Sequence, residues 1–253
     1  MANHTRVIGV RISRRSLSET LEAVLRRVSE KRGGFACFVN VHLATEYQSN
    51  PALRSALDEA WLNAADGVPL KWVSRLKGQA VRSRVCGPDF FRLFLETQND
   101  YEMAFLGSTP SVLKALASHF GLSHVPAYSP PIRGFSVANA KEDWEALLDR
   151  CPGRRPPAVV WVGLGAPKQE LWMQAVSRIA PQTLFFGVGA AFDFLSGNKP
   201  RAPKWMQRAG LEWLHRLGSE PGRLWRRYLT TNTRFVWLAT RDILGSWPPG
   251  RSG

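Results

Sequence analysis

The chain has 253 residues, of which 44% are hydrophobic and 21% charged, a balance typical of a globular protein and not of a disordered one. No apolar run reaches the ~20 residues that a transmembrane helix needs, and the basic N-terminus lacks the apolar segment of a secretory signal. Three widely spaced cysteines indicate neither a disulfide framework nor a metal cluster. We therefore expect a cytoplasmic protein.

The net charge of +14 is concentrated at the two ends of the chain. Residues 1–35 carry a net +5 and residues 199–241 a net +8, whereas residues 36–198 carry only +1. Basic ends suit nucleic acid, an anionic lipid surface or a phosphorylated substrate. Charge alone does not choose among these partners.

The first third of the chain predicts two strands and two helical segments. We expect a short strand over residues 7–12, a helix over 17–31, and a strand over 35–41 that contains Asn40 near its end. Residues 44–63 read as helical, with a restart at Pro51. Asp66-Gly67 follows, and by residue type alone this pair is typical of a turn.

The middle of the chain alternates helices with strands. Helices are expected over residues 70–76, 90–98, 111–120 and 142–150, with strands over 102–106 and 125–128. Arg84 precedes the second of these helices, and a guanidinium binds phosphate oxygens bidentately. The strand over 102–106 ends at Gly107, directly before the next helix.

Two further strands end in glycines, and they carry most of the information. Residues 159–162 form an apolar run that breaks at Gly163-Leu164-Gly165 before Pro167, and a similar run ends at Gly189, shortly before Asp193. Glycine lets the backbone approach a ligand, and a helix start attracts anions. Strands that alternate with helices predict an α/β fold, with a mostly parallel, Rossmann-like sheet flanked by helices.

The end of the chain changes character. We expect a helix over residues 201–217 and another over 223–244, the latter with Arg227, Arg234 and Arg241 at heptad spacing. The sequence suggests an α/β domain over 1–218 and a basic, amphipathic helical appendage over 219–253. Either this helix packs on the core with a solvated basic face, or it lies in a membrane interface. Both interpretations stay open.

Six motifs stand out along the chain. They are Asp-Gly-Val-Pro-Leu at 66–70, Arg-Val-Cys-Gly-Pro-Asp-Phe at 84–90, Gly-Leu-Gly-Ala-Pro-Lys-Gln-Glu at 163–170, Gly-Val-Gly-Ala-Ala-Phe-Asp-Phe at 187–194, Arg-Ala-Pro-Lys-Trp at 201–205 and Gly-Leu-Glu-Trp at 210–213. Together they resemble the WecG/TagA/CpsF family of bacterial glycosyltransferases over nearly the whole chain. The resemblance implies transfer of an N-acetylmannosamine-type sugar, its uronic acid or glucose. The donor would be a UDP-sugar and the acceptor a polyprenyl-diphosphate-linked sugar, in cell-surface polysaccharide synthesis.

The resemblance also implies roles for particular residues. Asp66 becomes the candidate catalytic base, ionised at neutral pH if it keeps the reference pKa of ~3.9. The candidates for binding the donor nucleotide are Asn40, Arg84, Gly107, Gly165, Pro167, Gln169, Gly189 and Asp193. The candidates for the acceptor and the membrane are Arg223, Arg226, Arg227 and Arg234. Phe38 departs from the family, which has a small polar residue at this position.

The chain has no Asp-x-Asp pair and no cluster of ligand residues at metal spacing. We therefore expect metal-independent transfer without a cofactor, as the resemblance also implies. One carboxylate base and direct displacement would invert the anomeric centre. The expected partners are the UDP-sugar, the lipid-linked acceptor and an anionic surface on the inner face of the cytoplasmic membrane, with no nucleic acid. Whether the chain forms a homo-oligomer is left open.

Two other classes of protein fit parts of the sequence. A dinucleotide-dependent oxidoreductase would explain Gly163 and Gly165, but Lys168 replaces the third glycine of that fingerprint and no acidic residue ends a second strand where one is needed. A nucleic-acid-binding module would explain the basic pI of about 10.5, but no helix-turn-helix, RNA-binding or zinc-finger pattern is present.

Overall fold

A parallel sheet of six strands runs through the molecule in the computed structural model, which describes residues 3–97, 101–219 and 221–245. The side chains of Arg216, Arg223, Leu224 and Arg227 lie outside that description. The strands are β1 (His4–Val7), β2 (Val10–Ser13), β3 (Gly34–Val39), β4 (Leu62–Ala65), β5 (Met103–Gly107), β6 (Ala127–Tyr128), β7 (Val159–Gly163) and β8 (Leu184–Gly187). The sheet order is β4-β3-β8-β7-β5-β6, with every pairing parallel. The predicted fold class is confirmed.

Helices cover both faces of this sheet. They are α1 (Leu17–Ser29), α2 (Val41–Glu46), α3 (Pro51–Glu59), α4 (Val68–Leu76), α5 (Gly87–Thr97), α6 (Pro110–His119), α7 (Val137–Leu148), α8 (Lys168–Ser177), α9 (Ala191–Leu195), α10 (Lys204–Ala209), α11 (Glu212–Ser219) and α12 (Pro221–Ile243). In the described ranges, every helix is too short or too polar to cross a membrane.

The central strands are apolar on both faces, because each face packs against helices. Val160 and Phe185 belong to a core cluster on one face, and Trp161 and Phe186 to a cluster on the other. Trp161 stacks on Phe186 with ring centroids 4.7 Å apart. Adjacent residues of one strand thus point to opposite faces, so the continuous apolar runs form buried parallel strands.

The single strand expected over residues 7–12 is wrong, because the chain turns back within it. β1 pairs antiparallel with β2, with Val7 opposite Val10. The two residues between them, Ile8 and Gly9, have φ of 40° and 84°, which is typical of a two-residue hairpin turn. A branched residue rarely adopts this conformation, and here the Ile8 N–H donates to Asp242 Oδ2 on α12 at 2.7 Å.

The helical segment expected over residues 44–63 does restart at Pro51, but its expected end is wrong. Asn40 and Asn50 each cap a short helix by accepting a backbone N–H through the side chain. The chain then leaves helical geometry at Ala60, and Leu62–Ala65 pairs with β3 as an edge strand. The Leu-Asn-Ala-Ala segment has no β-branched residue, so tertiary pairing overrides its local preference.

The helix expected over residues 201–217 is two helices instead. α10 ends at Ala209, and the N–H groups of Gly210 and Leu211 return to the carbonyls of Gln207 and Met206. α11 then starts at Glu212. The break turns the Glu212 side chain towards the sheet edge, where it contacts two arginines described below.

α12 is bound to the α/β core along its second half. Phe235, Leu238 and Ala239 are buried in the same core cluster as β1 and β2. Asp242 is 5% exposed and pairs with Lys77 Nζ at 2.6 Å. The proposed division after residue 218 stays a prediction, and the buried residues show that α12 contributes to the core.

Gln169 and Glu170, at the start of α8, connect two strand ends. Gln169 Nε2 donates to Glu170 Oε1 at 2.9 Å, and the Gly189 N–H donates to Gln169 Oε1 at 3.1 Å. Glu170 is fully buried, and its Oε2 has no hydrogen-bond partner among the described residues. Burial, together with the nearby Glu46, raises the pKa of Glu170 to about 7, although the hydrogen bond from Gln169 lowers it.

We predict that Glu170→Gln stabilises the protein above pH 7. The folded state favours the protonated acid, whereas the unfolded chain ionises near pH 4.5, so wild-type stability falls as pH rises from about 4.5 to 7. The amide removes this loss, worth about 3 kcal/mol, and keeps an acceptor for Gln169. Thermal denaturation of both proteins at pH 5 and pH 8 should show a gap that widens at pH 8. An equal gap at both values would contradict a buried neutral acid.

Candidate active site

A cavity of about 840 Å³ opens at the carboxyl ends of the sheet strands, within the size range of small-molecule sites. The ends of β3, β4, β7 and β8 form its floor, and α4, α11 and α12 form walls and roof. Parallel sheets bind ligands at this edge, because glycine-rich turns and helix N-termini face it. Of the predicted donor residues, those that line the cavity are Asn40, Arg84, Gly165, Gln169, Gly189 and Asp193.

Asp66 lies directly after β4, at the cavity wall. Its N–H donates to the Val39 carbonyl at 2.8 Å, which continues the β3–β4 pairing by one residue. Its Oδ1 lies 3.5 Å from Arg84 Nη2. Asp66-Gly67, which suggested a turn, therefore directly follows a strand, and the backbone hydrogen bond fixes where the Asp66 backbone lies at the cavity wall.

A chain of charged side chains extends from Asp66 across the cavity wall. Glu212 pairs with both Arg84 and Arg201, the latter at 3.0 Å, and Arg201 also pairs with Asp89. Arg84 Nη1 donates to the Gln207 carbonyl at 3.2 Å. The buried Nε of Arg84 has no hydrogen-bond partner among the described residues. Arg84 is thus held by protein groups on one side and keeps one donor unused.

The expectation that Asp66 is fully ionised at neutral pH is wrong. Burial raises the pKa of Asp66 to about 7, with Arg84 and Arg201 lowering it and Glu212 raising it. Desolvation penalises the charged carboxylate more than the arginines stabilise it. A carboxylate with a pKa near the working pH is well suited to general acid–base chemistry.

Gln169 and Gly107 have structural roles in addition to those predicted. Both the nitrogen and the oxygen of the Gln169 side-chain amide form hydrogen bonds within the protein, so Gln169 orients the glycine turn after β8.

Gly107 and Pro167 do not line the cavity. A Cβ at position 107 would lie 2.5 Å from the Gly163 carbonyl oxygen, so the absence of a side chain at Gly107 lets the ends of β5 and β7 lie close to each other. Next to it, Ser108 reaches the cavity with a φ of 57°.

Phe38 on β3 and Asn40 directly after it line the cavity. Asn40 caps α2 by accepting the Leu43 N–H at 3.1 Å. Phe38 is 5% exposed and packs on Phe90 with ring centroids 5.7 Å apart. The cavity lining is therefore apolar at Phe38 and polar at Asn40.

Asp193 lies in the first turn of α9 and lines the cavity. Its Oδ1 accepts from Asn198 Nδ2 at 2.9 Å. Lys199 lines the same part of the cavity. This region combines an acceptor for hydroxyl or N–H groups with a cation for phosphate.

The arginines predicted for the acceptor belong to α12. The side chains of Arg223 and Arg227 are outside the described residues, and Arg226 and Arg234 do not line the cavity. Arg226 stacks on the Trp225 ring at 5.2 Å, and Arg234 donates to Ser49 Oγ at 3.2 Å. The α12 side chains that line the cavity are instead Tyr228, Thr231, Asn232, Phe235, Val236, Ala239, Thr240 and Ile243.

Sequence reasoning missed several residues of the site. Glu212 and Arg201 were quoted only within motifs, and Trp72 and Trp213, which line the cavity, were not assigned a role. The sequence does hold a signal for Glu212, because it is one of only two acidic residues among the ten basic residues of the segment 199–241. In the part of the chain that the structure describes, no group of three or more His, Cys, Asp or Glu side chains could hold a metal ion.

Comparison with known proteins adds to this geometry. The model of the Glycosyl transferase WecG/TagA/CpsF family matches residues 5–248. The N-acetylglucosaminyldiphosphoundecaprenol N-acetyl-beta-D-mannosaminyltransferase of Bacillus spizizenii is 31% identical over 207 residues, which cover 80% of this chain and 77% of the relative. The enzyme of the same name from Bacillus subtilis is 30% identical over 205 residues, 80% of this chain and 78% of the relative. The chain belongs to the WecG/TagA/CpsF family of glycosyltransferases.

Proposed function

We propose that this enzyme transfers a sugar from a UDP-sugar to a polyprenyl-diphosphate-linked sugar, with inversion and without a metal ion. The placement of Asp66, a carboxylate with a pKa near 7 on the wall of a nucleotide-sized cavity, is the observation that carries the proposal. The names of the two Bacillus relatives support a lipid-diphosphate-linked acceptor. Membership of a glycosyltransferase family decides against the nucleic-acid-binding and oxidoreductase classes that the sequence left open.

The donor is proposed to bind over the ends of β7 and β8. The N-terminus of α8 and the backbone of Gly165 and Gly189 face the cavity there, and such groups attract phosphate. Lys199 adds a cation, and Asp193 offers an acceptor to ribose or uracil. These groups would stabilise the negative charge that develops on the leaving UDP, the task that a metal ion performs in other transferases.

The reaction needs one proton transfer and one displacement. Asp66 takes the proton from the acceptor hydroxyl, whose oxygen attacks the anomeric carbon as the bond from that carbon to the UDP oxygen breaks. The electron pair of that bond leaves with UDP. Because the acceptor oxygen approaches opposite the leaving group, a single displacement inverts the anomeric centre. Arg84 lines the cavity with its Nη2 3.5 Å from Asp66 Oδ1, so it is placed to contact a substrate oxygen beside Asp66.

We predict that Asp66→Asn lowers turnover by about 10²–10⁴-fold, the usual contribution of a general base, while UDP binding stays within a few-fold. In the wild type, kcat/KM should rise with pH through about 7, because the base acts only when deprotonated. Asp149→Asn, at an exposed carboxylate that pairs with Arg154, is the matched control. A variant that keeps more than about half of the wild-type rate would remove Asp66 from the mechanism.

We predict that UDP binds in the presence of EDTA and that Asp193→Ala weakens this binding about tenfold, the loss expected of a hydrogen bond to a charged group. Calorimetric titration measures both. Asp193 is a better test than Gln169, because loss of the Gln169 amide would also release Gly189. Asp149→Ala should bind UDP like the wild type. Turnover that disappears in EDTA and returns with Mn²⁺ would overturn metal independence.

Residues 219–253 are proposed to bring the enzyme to the inner face of the cytoplasmic membrane as a peripheral protein. The first half of α12 exposes Trp225 and Leu229 beside Arg226. Each basic residue near an anionic surface contributes about 1 kcal/mol, screened by salt, and exposed aromatic and apolar groups add insertion.

We predict that charge reversal at Arg223, Arg226 and Arg227 weakens binding to anionic vesicles, with a difference that shrinks as salt is raised. Vesicle sedimentation at several salt concentrations measures it. The matched control reverses the same number of exposed cations elsewhere, at Lys114, Lys141 and Arg155. If both triple variants lose binding equally, net charge alone, and not α12, directs the protein to the surface.

A further inference from the structure

Arg84 has competing partners, and only one of them is the proposed base. Its Nη2 lies 3.5 Å from Asp66 Oδ1 but makes its short contact with Glu212, while Nη1 donates to the Gln207 carbonyl. Glu212 lies in the first turn of α11, whereas Arg84 lies in the segment before α5. The break at Gly210 places the glutamate there, so the pairing of Arg84 depends on the fold of a distant part of the chain.

Glu212 is itself shared between two arginines. Its Oε2 pairs with Arg84 and its Oε1 accepts from Arg201 Nε at 3.0 Å. Arg201 is held on its other side by Asp89, and its Nη2 donates to Cys86 Sγ at 3.3 Å. Both Arg84 and Glu212 have side chains about one-fifth exposed. We call this series of alternating charges the row of charges: Asp66, Arg84, Glu212, Arg201 and Asp89. A group in the row can therefore strengthen its contact with one neighbour only by weakening its contact with the other.

We propose that Glu212 is a positioning residue that holds Arg84 beside Asp66 while preventing a close ion pair between them. This inference rests on the proposed function of Asp66. A base locked in a bidentate pair with arginine would be a weak proton acceptor, and a base without any cation nearby would stay protonated. Glu212 competes for Arg84, and Arg201 limits that competition by sharing Glu212. The row as a whole thus sets how available the Asp66 carboxylate is.

The charged groups around Asp66 come from several elements. Arg84 faces it from the segment before α5, Glu212 from α11 and Arg201 from the segment before α10, and the Cys86 thiol is also close. Further titratable groups that line the same cavity are His42, Asp193, Lys199 and Tyr228. Removing Glu212 or Arg201 changes the charge beside Asp66 in opposite senses, and both variants leave these other groups in place.

The test is a direct titration of Asp66 in the full-length protein without substrate. Carbon NMR of protein labelled at the aspartate carboxyl group follows the side chain, and the signal is identified by its absence from Asp66→Asn. The wild-type midpoint should lie near pH 7. We expect Glu212→Gln to lower the midpoint by about one unit and Arg201→Gln to raise it by a similar amount. Glu142→Gln, which removes a surface partner of Arg133, should leave it unchanged.

The same variants are then compared by their pH profiles. The acid limb of kcat/KM should move down in Glu212→Gln and up in Arg201→Gln, in step with the titration. A loss of activity in Glu212→Gln with an unmoved midpoint would overturn the inference, because it would make Glu212 a structural brace or a substrate contact. If Glu212→Gln does not fold, Arg201→Gln decides alone: a raised midpoint supports the inference and an unchanged one overturns it.

The titration also separates this inference from the proposed function. Should the wild type transfer no sugar to a lipid-diphosphate acceptor, the proposed function fails, yet the Asp66 midpoints still report on the row of charges. Should the wild type be active while both midpoints stay at the wild-type value, the inference alone fails.

Discussion

Burying a charged carboxylate near the carboxyl ends of the parallel strands costs desolvation free energy, and this cost governs how the site is built. Asp66 follows β4 and Glu170 lies in the helix after β7, with β3 and β8 between these two strands, and burial raises the pKa of each to about 7. The protein compensates them differently. Asp66 lines the cavity and has the Arg84 guanidinium 3.5 Å away, an arrangement that suits the proposed base. Glu170 is fully buried and accepts from Gln169, so burial favours its neutral acid and it orients the amide.

That difference follows from where each carboxylate enters the fold. Asp66 is the first residue after the edge strand β4, its backbone continues the pairing with β3, and the residue lines the cavity. Glu170 lies in the first turn of α8 and accepts from Gln169, which in turn holds the glycine turn after β8. A buried carboxyl group would therefore supply reactivity after one strand and rigidity after another, and catalysis of the proposed kind needs both.

The sequence predicted the strands of the sheet better than the path between them. Apolar runs such as Val159–Gly163 are long and carry a glycine break, so their type and their ends could be read directly. The hairpin at Ile8 and the strand Leu62–Ala65 could not, because a backbone contact from Asp242 and pairing with β3 decide them, and both partners are distant in sequence. The same holds at the site. Asp66 was found through its motif. Its pKa, however, depends on Glu212 and Arg201, which are more than 130 residues away along the chain and become its neighbours only in the folded protein.

The last helix couples these distant parts. The Asp242 carboxylate holds the hairpin turn at Ile8 and the Lys77 ammonium at the end of α4, while Phe235 and Leu238 pack into the core. The buried half of α12 is thus fixed to the N-terminal hairpin, and its cavity-facing side chains are fixed with it. The exposed first half, with Trp225 and Leu229, extends from that anchor. Tyr228 and Asn232 of the same helix line the cavity, so the proposed membrane contact at Trp225 would act on the helix that covers the proposed site.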